Sequence, residues 1–111
     1  PLYVQAAAWS GSSPEATRYV ERFSRKFGYA PVGYSDTLPH DAAAILFAAI
    51  REAGTLDSDA VVNALENGTF QGAAGRYRFD RSHQAEWGTP ELSGVVIRWE
   101  PGGSRILYPP R

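Results

Sequence analysis

The sequence predicts a mixed α/β chain in the order strand, three helices, then a β-rich tail closed by a hairpin. Three observations predict it. Apolar residues recur at helical spacing after a capping serine near position 13. A second, strongly apolar run, Ala42 to Ile50, reads as a buried helix. Beyond residue 75 the apolar residues alternate on both sides of the turn Glu100-Pro101-Gly102-Gly103.

Leu2 to Ala8 is short, apolar and free of turn residues, so it reads as a buried strand. Ser10-Gly11-Ser12-Ser13-Pro14 ends it. Either Ser13 caps the first helix with Pro14 in the first helical position, or Ser12 caps it with capping-box spacing to Glu15. Ala16, Tyr19, Val20, Phe23 and Phe27 form the apolar face, charged residues lie between them, and Gly28 stops the helix. Tyr29 to Thr37 reads as a loop. A second helix is predicted from near Leu38, with Pro39 in its first turn, to Ala53 before Gly54. Its middle is apolar on nearly every side, so partners are expected on several faces. Asp57 is the expected cap of a third helix over Ser58 to Glu66, stopped by Gly68. Strands are predicted at Arg76 to Phe79, Ser93 to Trp99 and Ser104 to Tyr108, the last two joined by hairpin turn chemistry. One strand before the helices cannot complete a doubly wound sheet.

Composition sets limits on function. The 111 residues are 43% hydrophobic and 21% charged, enough for one ordinary core. Eleven basic against twelve acidic side chains give a net charge of -1, without the basic stripe that nucleic-acid binding needs. The longest apolar run is about half of the roughly 18 to 20 residues that span a bilayer. Without Cys there is no disulfide or thiolate metal site. The lack of Met, with Pro1 leading at once into Leu2-Tyr3-Val4, gives the expectation of a piece of something longer.

Four features, in this order, carry a family resemblance. Arg22-Phe23 to Phe27-Gly28-Tyr29-Ala30-Pro31 ends an amphipathic helix in aromatic-Gly-x-x-Pro. His40-Asp41-Ala42 opens an apolar helix that closes with Ala49-Ile50-Arg51-Glu52-Ala53-Gly54. Phe70-Gln71-Gly72-Ala73-Ala74-Gly75-Arg76-Tyr77-Arg78-Phe79-Asp80 follows, and Val95 to Trp99 with Gly102-Gly103 and Tyr108-Pro109 closes the chain. Together they resemble the C-terminal part of type I periplasmic solute-binding proteins, the branched-chain amino-acid-binding or extracellular ligand-binding receptor family of ABC importers. His40 departs from the Tyr-Asp-Ala usual there.

The resemblance implies a partial lobe of the periplasmic-binding-protein type I fold. Residues 1–88 are expected to form mainly an N-lobe-type α/β segment, and 89–111 the hinge crossing and terminal strands of the other lobe. It implies capture of a small, amino-acid-like molecule, an ABC permease as partner of the full-length protein, and a periplasmic or extracellular location. It implies no enzyme activity and no cofactor or metal. The alternatives are a ligand-sensing domain of a receptor or regulator, and a small α/β enzyme using His40 or His83 as a base. The isolated chain is expected to self-associate through apolar surface meant for missing parts.

Tyr34, Ser35 and His40 are the candidate ligand contacts, facing the cleft from the loop and from the start of the second helix. Against this stands Asp41 as a helix-dipole residue beside a solvated His40. Asp80, His83 and Glu86 have the spacing of a metal face on a helix, but the segment reads as a polar loop. Ser10 or Ser13 with a His and an Asp makes a hydrolytic triad only on paper, since no Gly-x-Ser-x-Gly elbow is present. Gly72-x-x-Gly75 lacks the Lys-Ser/Thr of a phosphate loop. Asn67-Gly68-Thr69 matches a glycosylation sequon. Trp99 is expected in core or hinge packing, and Trp87 in a cleft or partner contact.

Overall fold

The computed structural model describes residues 2–5 and 13–108. It contains β1 (Leu2–Gln5), α1 (Pro14–Phe27), α2 (Tyr34–Ala53), α3 (Ser58–Asn67), β2 (Phe70–Gln71), β3 (Arg76–Tyr77), β4 (Val95–Glu100) and β5 (Gly103–Tyr108). The α/β class and the three helices stand as the sequence predicts. Ala6 to Ala8, Ser10 and Ser12 lie outside the described residues.

Ser13 caps α1. Its backbone is extended, and its Oγ accepts from the Ala16 N–H at 3.0 Å, with Pro14 in the first helical position. Gly28 closes the helix in the left-handed conformation, its N–H donating to the Ser24 carbonyl at 2.9 Å. Ala16 and Tyr19 are buried.

Helix α2 starts four residues before the predicted Leu38. Gly33 is the cap residue and makes no side-chain bond. Asp36 in the first turn reaches back to accept the Val32 N–H at 2.8 Å, and this fixes the entry. Pro39 therefore sits inside the helix. The carbonyl deprived of its usual donor is that of Ser35, an exposed residue, so water can serve it. Only one stripe of α2 is covered, Thr37, Asp41, Ile45 and Ala49 at four-residue spacing. Ala42, Ala43, Ala44, Leu46 and Phe47 are exposed, so the partners expected on several faces are not supplied by the described residues.

Asp57 caps α3 by accepting the Ala60 N–H at 3.1 Å. Ala49, Val61 and Ala64 then form a small-residue seam that lets α2 and α3 approach closely. After α3 comes a hairpin that the sequence reading missed. Phe70 pairs with Tyr77 and Gln71 with Arg76, around the turn 72–75. The predicted strand through Phe79 is correspondingly shorter, and Phe79 makes only an isolated bridge to Ala85.

The second sheet has the order β1-β4-β5, antiparallel throughout, with Leu2 opposite Arg98 and Gln5 opposite Val95. A bulge between Val96 and Ile97 interrupts the β4–β5 register. Val95 and Ile97 are buried with Ile106 beside them. Trp99, on the same alternation, is 38% exposed, which corrects the core alternative of its expected core or hinge packing. Two cores thus meet within three residues. Leu92 is buried against Ile45, Ala74 and Tyr77, whereas Val95 belongs to the three-stranded sheet.

Candidate functional site

The most organised polar feature is a buried carboxylate. Asp41 is fully buried on α2, two turns inside the helix, and α2 carries it against the 72–75 turn. Its Oδ1 accepts from the Ala73 N–H at 2.8 Å. Its Oδ2 accepts from the Ala74 N–H at 2.9 Å and from the Tyr77 hydroxyl at 2.8 Å. Successive N–H groups of a turn make a concave anion receptor of this kind. The glycine at 72 makes it possible: a Cβ there would collide with the Asp41 carboxylate and with the Tyr77 ring. The helix dipole does not explain Asp41, because α2 starts about one turn earlier than the sequence predicts, which moves Asp41 out of the first turn.

His40 extends this network outward. Its Nδ1 lies 3.1 Å from Asp41 Oδ1, and its Nε2 lies 3.1 Å from Arg22 Nη2 on α1. A guanidinium can only donate, so Nε2 must present its lone pair and the ring proton must sit on Nδ1, donating to Asp41. The ring is thereby neutral and of fixed tautomer while both bonds hold. Tyr19 packs against it, ring centroids 4.7 Å apart.

The electrostatics follow from burial. Burial pushes the Tyr77 hydroxyl well above its ordinary value, and the bond to Asp41 and its charge add to that. Tyr19 is also raised, first by burial and then by the charges of Asp36 and Asp41, against an opposing effect of Thr37. The hydroxyls of Tyr19 and Thr37 are both buried, and neither makes a well-formed hydrogen bond among the described residues.

The candidate contacts Tyr34, Ser35 and His40 all lie on α2, the first two in its opening turn and not in a loop. At about 100° per residue, Ser35 and His40 project about 140° apart around the helix axis. They share an end of α2, not a face. Ser35 is exposed, and His40 is engaged through both ring nitrogens.

The other candidates separate. Among the described residues no three His, Asp or Glu side chains converge as a metal site. Asp80 instead closes its own turn: its Oδ1 accepts from the Ser82 hydroxyl and from the N–H groups of Ser82 and Gln84. The Ser82 hydroxyl bond, then those N–H bonds, hold its carboxyl below the usual range. His83 Nε2 pairs with Glu66 Oε1 at 2.9 Å across to α3. Ser13 is occupied as a cap. Trp87 is half exposed and borders an open apolar groove of about 420 Å³, shared with Leu38, Leu46, Leu65 and Phe79.

Sequence reasoning passed over Ala73, Ala74 and Tyr77 as functional partners of Asp41. The signal available was an acidic residue inside an otherwise apolar helix, which demands buried donors elsewhere.

Residues 2–103 match the family model described as periplasmic binding protein. The chain belongs to the periplasmic binding protein family. No curated protein sequence matches it significantly. Among solved structures it is similar to a leucine binding protein from Thermotoga maritima, with 26% identity and a TM-score of 0.73, over 95% of this chain and 29% of that one. An ABC-transporter solute binding protein from R. palustris in complex with benzoate aligns with a TM-score of 0.78 at 16% identity, over 96% and 28% of the two chains. An ABC-transporter substrate-binding protein from Desulfitobacterium hafniense in complex with Leu aligns at 0.72 and 20% identity, over 96% and 30%. The chain therefore spans under a third of the length of these family members. Their shared fold accounts for the partial lobe: helices on one side, a three-stranded antiparallel sheet on the other.

Proposed function

We propose that this chain forms one wall and the hinge strands of an extracytoplasmic receptor that captures a small solute for an ABC importer. The carrying observation is the pairing of β1 with β4. The described pairing of β1 ends at Gln5, opposite Val95 where β4 begins, so the helical body lies in the chain between two adjacent strands. That is the geometry on which a lobe can swing and close over a ligand. In this reading residues 1–88 belong mainly to one lobe, and 89–111 cross into the other.

The first turns of α2, with Tyr34, Ser35 and His40, supply this chain's share of the cleft wall. Asp41 supports that wall by pinning α2 to the 72–75 turn, as rigid support does for any binding site. Leucine and benzoate in the related structures make aliphatic amino acids and aromatic acids the solutes to try. No residue has a catalytic role, and the location is periplasmic or extracellular.

Isothermal titration of the full-length protein against leucine, other aliphatic amino acids, benzoate and hydroxybenzoates tests the reading. Saturable binding of one of them, weakened by Ser35→Ala or His40→Ala, is expected. Absence of binding to every solute, with turnover of one of them instead, overturns it.

A further inference from the structure

We propose that Asn67 is a site of spontaneous covalent modification, converting to aspartate and isoaspartate through a cyclic imide with the Gly68 nitrogen. Asn occurs in this chain only at positions 63 and 67, both on α3, and only Asn67 is followed by glycine. In the reaction the Gly68 backbone nitrogen attacks the Asn67 Cγ. A C–N bond forms, the Cγ–Nδ2 bond breaks and ammonia leaves, carrying the proton from Gly68. Water then opens the imide at either carbonyl. No oxidant, enzyme or cofactor enters the balance.

What separates this Asn-Gly pair from one protected inside a helix is the way α3 ends. The glycines after α1 and α2 donate their N–H groups to Ser24 and Ile50 at 2.9 Å, in left-handed caps. Gly68 does neither. Its backbone is extended, with φ -91 and ψ 164, and its N–H has no acceptor among the described residues. The attacking nitrogen is free, and turning Asn67 toward it breaks no cap. Asn67 is exposed, which admits the water that the second step needs.

The glycine cannot be exchanged for a bulkier neighbour that would slow the attack. A Cβ at position 68 would lie 2.5 Å from Phe70 Cζ and 2.8 Å from the Ala64 carbonyl oxygen. Packing of the α3–β2 corner therefore keeps the most reactive dipeptide in place. One feature restrains it: Asn67 Nδ2 donates to the Asn63 carbonyl at 2.9 Å and to Asn63 Oδ1 at 3.0 Å, holding the leaving group.

The product changes the surface. Two donated bonds are replaced by a carboxylate facing two oxygen acceptors of Asn63. The new charge sits at the C-terminal end of α3, where the helix dipole is negative and the last turn carries no basic residue. This is the rim of an open groove of about 750 Å³ between α2 and α3, bordered also by Arg51, Glu52 and Phe70. Modification makes that rim acidic and loosens the last turn of α3.

Peptide mapping by mass spectrometry of the full-length protein, aged in mildly alkaline buffer, tests the site. A synthetic peptide spanning residues 63–70 serves as the unstructured control. The expected result is the mass gain of an amide-to-acid conversion at position 67, with isoaspartate detected, and none at Asn63. Asn63→Ala, which removes one restraining bond, is expected to speed it about fivefold. A folded protein that keeps its Asn67 amide while the control peptide converts overturns the proposal, as does equal conversion at Asn63.

Discussion

Replacing Asp41 tests the physical centre of the fold. Asp41→Ala strips the acceptor from three buried donors, the N–H groups of Ala73 and Ala74 and the Tyr77 hydroxyl, and from the partly exposed His40 ring. A buried donor left unpaired costs about 1 to 3 kcal/mol. Three of them give about 3 kcal/mol at the low end, where water enters the space vacated, and up to about 9 kcal/mol if the site stays dry and does not relax. Asp41→Asn is milder. One oxygen remains to serve two donors, while the new amide donates to a rotated Tyr77 hydroxyl and opposes one turn N–H. The expected loss is about 1 to 3 kcal/mol.

Two measurements on the full-length protein check this. Urea titration followed by circular dichroism is expected to rank wild type above Asp41→Asn above Asp41→Ala. Hydrogen exchange is the sharper probe, because it reports the two amides directly. A loss of about 3 kcal/mol opens them about 10²-fold more often. Wild-type protection of Ala73 and Ala74 in the alanine variant would refute the reasoning, since the turn would then be held by something other than the carboxylate.

Other consequences are equally open to measurement. Tyr77 and Tyr19 hold their protons more tightly folded than unfolded, so above the unfolded value near pH 10 the unfolded chain loses protons that the native state keeps; stability then falls as pH rises, and Tyr77→Phe flattens the alkaline fall in urea midpoint. Asp80 runs the other way: its depressed value gives a contribution present above the ordinary carboxylate range and lost as pH falls through it, and Asp80→Asn removes that acid dependence. His40→Leu removes the ring nitrogen that Arg22 contacts and is expected to release the Arg22 side chain in NMR spectra, whereas an unchanged Arg22 signal would show that the contact does not hold it. Leu46 and Phe47, 45% and 62% exposed on the open face of α2, are expected to make the isolated 111-residue chain self-associate. Light scattering giving a strict monomer, or no change on Phe47→Glu, would contradict that.

Local chemistry made most of the fold legible. Ser13, Pro14, Gly28, Gly54 and Asp57 punctuate the helices where their backbone preferences require, and each does so through the bond or conformation expected of it. The start of α2 was hidden because Pro39 reads as a first-turn residue, and no capping side chain at Gly33 announces the true start. The signal was Asp36, three residues after Gly33, whose carboxylate holds the Val32 N–H. The β2–β3 hairpin was hidden for a different reason. Its strands are two residues long, too short for alternation to register, and the turn is held by an aspartate some thirty residues earlier.

That long-range bond also explains why the candidate site was only half legible. Sequence reading singled out His40-Asp41, but placed the pair at the start of the helix and assigned the two residues from their neighbours in sequence. The chemistry is set instead by partners from α1 and from the 72–75 turn. Arg22 fixes which ring nitrogen of His40 carries the proton, and Ala73, Ala74 and Tyr77 fix the Asp41 carboxylate. The Gly72-to-Asp80 stretch is therefore more than a family marker. It is the receptor for the one buried charge of α2, and Leu92 packs on the same Tyr77 and Ala74 just before the chain passes into the β4–β5 sheet. Tyr77 thus joins the Asp41 carboxylate of α2 to the Leu92 core that leads into the β4–β5 sheet.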